Sequence, residues 1–427
     1  MNFHVVGIGG AGMSAVARLL LAEGHQVSGS DRGEWPLAQA LARDGATVHT
    51  SFAADHVDGA EVVLRSSAYG DANPEVRAAR DRGIPVWKRE DGWRFLAQGK
   101  RVAAIAGTHG KTTTTAMTWA ALRGGGVDAS LICGAPLLET GSNAHRGASN
   151  VLVIEADEYD NAFLALEPDV AVVTNVDWDH VDFFPDRATY QQAFSAFVAK
   201  IKGGGLLVLC SDDVGSQALS AQAVKRGIAL EWYDAAGSPR LLLPGTHNAL
   251  NAAGALRAAL ALGADRSGAI GALERFRGTA RRLEKLGAAK GIDVLDDYAH
   301  HPREIRASID AMRAGHSRVV AVFQPHTPSR LRAFHKEFVD AFREPAGWIP
   351  TVIVETFSSA REDRDEDRLA ESLAEEIRGT YAPDAESAAR KIVRLAQPGD
   401  AVLVMGAGDT RPIAERVLEL LHEGAPA

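Results

Sequence analysis

The chain has 427 residues, too many for one ordinary core at roughly 100 to 200 residues per domain, so two to four domains are expected. Hydrophobic residues make up 46% and charged residues 24%, a globular balance that excludes long disorder, collagen-like repeats and coiled coil. With 46 Lys and Arg against 55 Asp and Glu, the net charge of -9 offers no broad cationic field for nucleic acid, so any phosphate must be bound locally.

The amino terminus, MNFHVVGIGG, has no basic stretch before its apolar run, and no apolar run in the chain approaches the roughly 20 residues a membrane span needs. Two isolated cysteines, Cys133 and Cys210, form neither a CxxC pair nor a disulfide framework. The expectation is a cytoplasmic protein with no secretory leader and no membrane insertion.

The first predicted strand, Phe3 to Ile8, turns through Gly9-Gly10-Ala11-Gly12 into a helix over Met13 to Ala22. Gly7, Gly9 and Gly12 match the dinucleotide fingerprint, and Asp31 lies where a carboxylate would meet a ribose. Glycines there let backbone amides approach phosphate oxygens, but they also permit close packing. The spacing does not separate NAD from other nucleotide diphosphates, so an NAD-dependent oxidoreductase is one reading.

The theme returns with a strand over Val102 to Ile105, a turn at Gly107-Thr108-His109-Gly110 and a helix over Lys111 to Leu122. Gly-Lys-Thr at a helix start is phosphate-loop chemistry: Lys111 would reach the β and γ phosphates and Thr112 would ligate magnesium. Ile105 stands where the general pattern has its first glycine. The strand Val151 to Ile154 runs into Glu155-Ala156-Asp157-Glu158-Tyr159-Asp160, four crowded carboxylates that call for cations. Glu155, directly at the strand end, is the first choice as a magnesium ligand. The strand Val170 to Thr174 leads to His180, whose neutral imidazole could ligate a second cation.

Gly245-Thr246-His247-Asn248-Ala249-Leu250-Asn251 opens an alanine-rich helix whose amide side chains suit a purine or ribose and equally suit capping. Arg281 and Arg282 could fork onto a triphosphate or form a solvated hinge. Two later strands end in Asp296-Asp297-Tyr298-Ala299-His300-His301 and in Gln324 to Arg330, which points to one shared sheet edge. The lack of HExxH and of cysteine ligands argues against zinc; His300 suits an amine and Arg330 a carboxylate. A last strand, Ala401 to Met405, passes through Gly406-Ala407-Gly408-Asp409 into a helix reaching Leu421. Seams fall near Gln98-Gly99-Lys100 and Arg277-Gly278-Thr279, and the charged run 360–367 reads as a solvated loop and helix start.

In chain order, GIGGAGMS, AGTHGKTTTT, EADEYD, TNVDWDH, GTHNALN, FRGTARRLE, DDYAHHP, FQPHTPSR and GAGD together resemble the Mur ligases, ATP-dependent ligases of bacterial peptidoglycan synthesis. The resemblance covers essentially the whole chain. It implies an α/β fold of three domains: a Rossmann-like domain over 1–99 for a UDP-sugar, a central P-loop ATPase-type domain over 100–278, and a Rossmann-like amino-acid-binding domain over 279–427. The first glycine motif then serves the UDP diphosphate rather than NAD, with contacts at Gly9, Gly10, Ala11, Gly12, Met13, Ser14, Asp31 and Ser66. ATP contacts are implied at Gly107, Thr108, His109, Gly110, Lys111, Thr112, Thr113, His247, Asn248, Asn251, Arg281, Arg282 and Asp297. Mg2+ ligands are implied at Thr112, Glu155 and His180, and acceptor contacts at Tyr298, His300 and Arg330. Lys111, Glu155, His180 and His300 form the implied catalytic set.

Within the family, the branch joining L-alanine to UDP-N-acetylmuramate is the most similar, as a monomer or homodimer. Several relatives carry a carbamylated lysine at a position that corresponds here to Phe194, so no modified lysine is expected. The EYD of EADEYD is also similar to the branch that adds a recycled tripeptide. Two segments depart from the alanine branch. Thr356 to Glu362 stands where Ile-Tyr-Ala-Ala-Arg/Gly-Glu is usual, and Lys88 to Trp93 ends the first domain differently.

Overall fold

The computed structural model describes residues 1–344, 347–357 and 368–423. The charged run 360–367, and residues 358–362 of the segment that departs from the alanine branch, lie outside the described residues. The chain groups into two compact units. The first contains Met1–Trp178, Arg187–Leu242 and Ala249–Thr279; the second contains Asp179–Asp186, Leu243–Asn248 and Ala280–Ala427.

The first unit holds two sheets. Strands β1 (Asn2–Val6), β2 (Gln26–Ser30), β3 (Thr47–His49), β4 (Val62–Arg65) and β5 (Val86–Lys88) form a sheet ordered β3-β2-β1-β4-β5. All its pairings are parallel. This order reverses direction beside β1, and in doubly wound folds ligands bind at that crevice. Strands β6 (Arg101–Ala106), β7 (Ser130–Ile132), β8 (Ala144–His145), β9 (Val151–Glu155), β10 (Val170–Val173), β11 (Leu206–Cys210) and β12 (Ala229–Tyr233) form a sheet ordered β12-β11-β10-β6-β9-β7-β8. Only β7 and β8 pair antiparallel. The central strands read RVAAIA, VLVIE and VAVV because both faces are covered, which demands continuous rather than alternating apolar residues.

In the second unit are β13 (Glu284–Ala289), β14 (Ile292–Asp297), β15 (Arg318–Phe323), the hairpin β16 (Arg343–Glu344) and β17 (Gly347–Trp348), β18 (Thr351–Val354), β19 (Thr380–Ala382) and β20 (Asp400–Met405). The main sheet is ordered β13-β14-β20-β15-β18-β19, parallel except for β13 with β14. Val294, Val320, Val402 and Val404 are fully buried beneath the helices Ala385–Leu395 and Arg411–Glu423. No helix among the described residues is long and apolar enough to cross a membrane. Phe194 is fully buried against Phe163 and Tyr190.

Candidate active site

In the first sheet, β1 ends at Val6 and the chain turns at Gly7, whose φ of 84° is in the left-handed region. A Cβ at Gly7 would press on Tyr69 and Ser66, the residue that follows β4. The turn is braced from inside. Gly9 N–H donates to Asp31 Oδ2 at 2.8 Å, and the Tyr69 hydroxyl donates to Asp31 Oδ1 at 3.0 Å. Asp31, expected from the sequence to meet a ribose, is buried and spends its oxygens on the turn, with Arg32 N–H as a third donor. Ser14, also expected at the sugar nucleotide, is bonded within the protein. Its amide donates to Gly10, its hydroxyl donates to Ala11 and accepts from Asn143, and it is fully buried, so it holds the helix Ala11–Ala22 in place. Met13 likewise points its side chain inward. The groups suited to an incoming anion are the first-turn amides of Ala11, Gly12 and Met13, which a helix leaves without partners in its own ladder.

The second sheet carries the phosphate-loop sequence on the bond between β6 and the helix Lys111–Gly124. Ile105 is still extended and fully buried, in register with Glu155 on one side and Val172 on the other. The turn begins only at Gly107, which explains why no glycine is needed at 105. Gly107 (φ 131°) and Gly110 (φ 81°) take conformations that a side chain would strain, and a Cβ at either would overlap Thr174 Oγ1 or Asn251 Oδ1. Thr174 and Asn175, just beyond β10, grip the loop through His109: Thr174 Oγ1 donates to the His109 carbonyl at 2.6 Å, and Asn175 Oδ1 accepts its N–H at 2.9 Å. Thr108 turns away from the loop's open side and bonds the Asp177 carbonyl and Tyr190 hydroxyl.

Lys111 Nζ donates to the carbonyls of Gly107 (2.6 Å) and Thr108 (3.0 Å) and lies 2.8 Å from Glu158 Oε2. Burial alone would lower its pKa, but the Glu158 carboxylate, with Asp157 and Glu155, raises it and keeps the ammonium charged. Glu158 is fully buried and is also bonded by the Tyr190 hydroxyl. Sequence reasoning ranked Glu155 first in this acidic cluster and gave Glu158 no role. The missed signal was positional, since a carboxylate three residues past a strand end can fold back under the loop lysine. Thr112 Oγ1 donates to Glu155 Oε1 at 2.8 Å, while Glu155 Oε2 accepts Gly134 N–H at 2.6 Å. A Cβ on Gly134 would run into that carboxylate, so glycine permits the close approach. A hydroxyl and a carboxylate converging beside a phosphate loop are the hard oxygen donors that Mg2+ takes, so the residues present fit that ion. Asn251, on the helix Thr246–Ala261, adds its amide beside Gly110.

The second unit collects the remaining predicted residues. His247 follows Gly245 (φ 95°), and burial, reinforced by the Arg282 charge, lowers its pKa to about 4. Asn248 uses its side chain to bond the Pro244 carbonyl at 2.7 Å. The adjacent arginines divide. Arg281 (φ 58°) donates to the Gly406 carbonyl and Thr410 hydroxyl and pairs with buried Asp296 at 3.4 Å, tying the loop to the ends of β14 and β20. Both guanidinium groups lie 5.0 Å over the Tyr298 ring, and it is the Arg282 charge that acts on His247 and Asp297. Asp297 accepts the amides of Leu283 and Ala299, and burial pushes its carboxyl up to about 6 against the pull of Arg282.

Arg330 Nε donates to Asp179 Oδ1 at 2.8 Å, and both side chains are buried. Although burial alone would raise it, Arg330, with His180, His301 and His300, holds the Asp179 carboxyl well below its usual range. His180 follows at φ 52°, its amide bonded to Asp179 and its carbonyl to Phe183 and Phe184. His300 Nδ1 is 3.0 Å from the Tyr298 carbonyl, and burial lowers its pKa to about 4, so the ring is neutral and Nε2 offers a lone pair.

Three family models match the chain in order: the catalytic domain of the Mur ligase family over residues 2–101, the Mur ligase middle domain over 105–239, and the Mur ligase glutamate ligase domain over 281–408. The UDP-N-acetylmuramate--L-alanine ligase of Chloroflexus aggregans is 40% identical across 99% of this chain and 98% of its own. That of Thermobifida fusca is 40% identical across 98% and 96%. Among solved structures, a UDP-N-acetylmuramate-alanine ligase from Thermotoga maritima matches with a TM-score of 0.80 at 24% identity, covering 99% of this chain and 100% of that one. A murein peptide ligase from Psychrobacter arcticus matches at 0.74 and 24% over 100% and 99%, and both likenesses concern the fold. With the three domain models in order and near-full-length relatives at this identity, the chain belongs to the Mur ligase family.

Proposed function

We propose that the protein joins L-alanine to the lactyl carboxylate of UDP-N-acetylmuramate at the expense of ATP, a step of peptidoglycan precursor synthesis in the cytoplasm. The observation that carries this reading is the phosphate loop, with a charged, buried Lys111 beside the Thr112–Glu155 oxygen pair. An oxidoreductase would have no use for that arrangement. The relatives' names supply the substrates. In this reading residues 1–99 take the sugar nucleotide, 100–278 the ATP and 279–427 the amino acid.

The carboxylate oxygen attacks the γ phosphorus, the bond to the β-phosphate oxygen breaks, and ADP leaves an acyl phosphate. The amine then attacks the acyl carbon, expels phosphate and passes its proton to that phosphate. Lys111 and the loop amides hold the γ phosphate and offset the charge of two approaching anions. Thr112, Glu155 and His180 are assigned to Mg2+, which when bound screens the phosphate charge. Gly107 to Thr113, Asn251, His247, Asn248 and Arg282 are assigned to ATP. Arg330, through the terminal nitrogens its Asp179 bond does not use, is assigned to the alanine carboxylate. His300, neutral and fixed through Nδ1, accepts a hydrogen bond from the amine at Nε2; with a pKa of about 4 it orients the amine instead of storing its proton.

The deciding experiment is phosphate release with UDP-N-acetylmuramate and a panel of amino acids and the recycled tripeptide. L-Alanine is expected to give the highest kcat/KM. Release with the tripeptide alone transfers the protein to the other branch, and no release with any acceptor overturns the reading.

A further inference from the structure

The basic pair at the start of the helix Arg89–Leu96 links two parts of the first unit. Arg89 Nη2 donates to Asp157 Oδ2 at 2.7 Å, and Lys88 Nζ donates to Asp160 Oδ2 at 2.8 Å. The Arg89 guanidinium also lies over Trp93, 4.6 Å from the ring centroid. Its Nη1 comes so near the glycine turn that a Cβ on Gly12 would approach it to 2.9 Å. One guanidinium therefore touches both the first helical turn assigned to the sugar diphosphate and a carboxylate placed between Glu155 and Glu158. The loop it holds is strained, since Asp160 and Asn161 are successive non-glycine residues at φ 54° and 55°. Such backbone persists only where its surroundings hold it, and here Lys88 and Arg89 supply two of the clamps.

We infer that Arg89 is a positioning residue that couples the sugar-nucleotide turn to the ATP loop. The inference rests on the function proposed above. A diphosphate arriving at the Gly9 to Gly12 turn draws the guanidinium off Asp157, because phosphate oxygens match its fork as well as a carboxylate does. The pair is 24% and 29% exposed, so solvent screening keeps it weak enough to exchange. With Asp157 no longer offset by Arg89, the acidic loop becomes more negative and a better host for the cation that accompanies ATP. Linkage makes the effect reciprocal: bound MgATP raises sugar-nucleotide affinity by the same factor.

The test is calorimetric titration of the full chain with Mg2+ and a non-hydrolysable ATP analogue, with and without saturating UDP-N-acetylmuramate. The wild type is expected to bind the analogue at least fivefold tighter when the sugar nucleotide is present, the lower end of ordinary coupling. Arg89→Ala and Asp157→Asn should each reduce the factor below two, and Arg89→Lys, which keeps the charge without the fork, should fall between. Asp157→Asn is nearly isosteric and preserves the test if Arg89→Ala folds poorly. Wild-type binding of both ligands without coupling, or full coupling in Asp157→Asn, overturns the inference while leaving the function intact. Failure of the wild type to bind UDP-N-acetylmuramate at all overturns both.

Discussion

Asp179 and Arg330, 151 positions apart in sequence, form a buried ion pair in the second unit, with Nε to Oδ1 at 2.8 Å. A buried pair is costly to break from one side because the remaining charge has no partner. Asp179→Ala and Arg330→Ala should each destabilise that unit by about 3–5 kcal/mol, measured by urea unfolding. Asp179 also sets an acid limit. Its folded pKa is depressed, so its contribution is present above the unfolded value near 3.9 and is lost as pH falls from there through the folded value. The wild type should therefore lose stability more steeply below about pH 4 than Asp179→Asn. Equal slopes would remove the pair as the cause.

Lys111 separates catalysis from folding. Lys111→Ala should abolish phosphate release and leave UDP-N-acetylmuramate binding intact, but it also removes the lysine counter-charge of fully buried Glu158. It should therefore lower stability by a few kcal/mol as well, in the range of about 3–5 for a broken buried pair. Adding Glu158→Gln removes the buried charge left uncompensated by the lysine. The double variant should regain most of the lost stability and none of the activity, and a double variant that releases phosphate would show that the lysine acts only as a structural counter-ion.

How much of this was legible in the sequence follows from the distances over which the forces act. The strands over residues 102–105, 151–154 and 401–405 could be read because doubly buried parallel strands need unbroken apolar runs, and no boundary in the structure moves by more than one residue. Lys111, Thr112 and Glu155 could be read because a strand end and a helix start fix them locally. Asp31 was expected at the sugar nucleotide, and its bonds to the Gly9 amide and the Tyr69 hydroxyl were not legible because an acidic residue at that spacing has two equivalent uses and Tyr69 comes from another element. Glu158, Tyr190 and Asp179 were not assigned their roles because their partners come from other elements, which no local pattern records. The roles of Arg281 and Arg282 stayed open for the same reason.

The second unit should carry two histidines that stay neutral in mild acid. Burial sets both His300 and His247 at about 4, below the unfolded value near 6.5. A depressed histidine pKa means that the unfolded chain takes up the proton first. The stability each ring contributes is therefore complete above pH 6.5 and drains as pH falls toward 4, by up to about 1.4 kcal/mol per pH unit for each ring. Proton NMR of the ring Cε1–H signals, assigned with His300→Gln and His247→Gln, should show midpoints near 4 for these two rings. A midpoint near 6.5 for His300 would mean that it is exposed and free to act as a proton store.

Arg281 and Arg282 should separate in the same way when replaced. Arg281 donates to the Gly406 carbonyl and the Thr410 hydroxyl and pairs with buried Asp296, so Arg281→Ala takes a donor from the carbonyl and the nearest cation from a buried carboxylate that keeps Thr410 and the more distant Arg411. The cost should fall on stability, about 2–4 kcal/mol, with KM for ATP nearly unchanged in the protein that remains folded. The charge of Arg282 bears on His247 and Asp297, the residues assigned to the nucleotide. Arg282→Ala should raise KM for ATP about tenfold, as the loss of one charge-assisted phosphate bond does, and shift the unfolding midpoint little. It should also let the His247 pKa rise, because the nearby positive charge is gone, while Asp297 moves further up without its counter-charge. If Arg281→Ala instead weakens ATP and Arg282→Ala weakens the fold, the two assignments are reversed, and the loop meets the nucleotide with its other side.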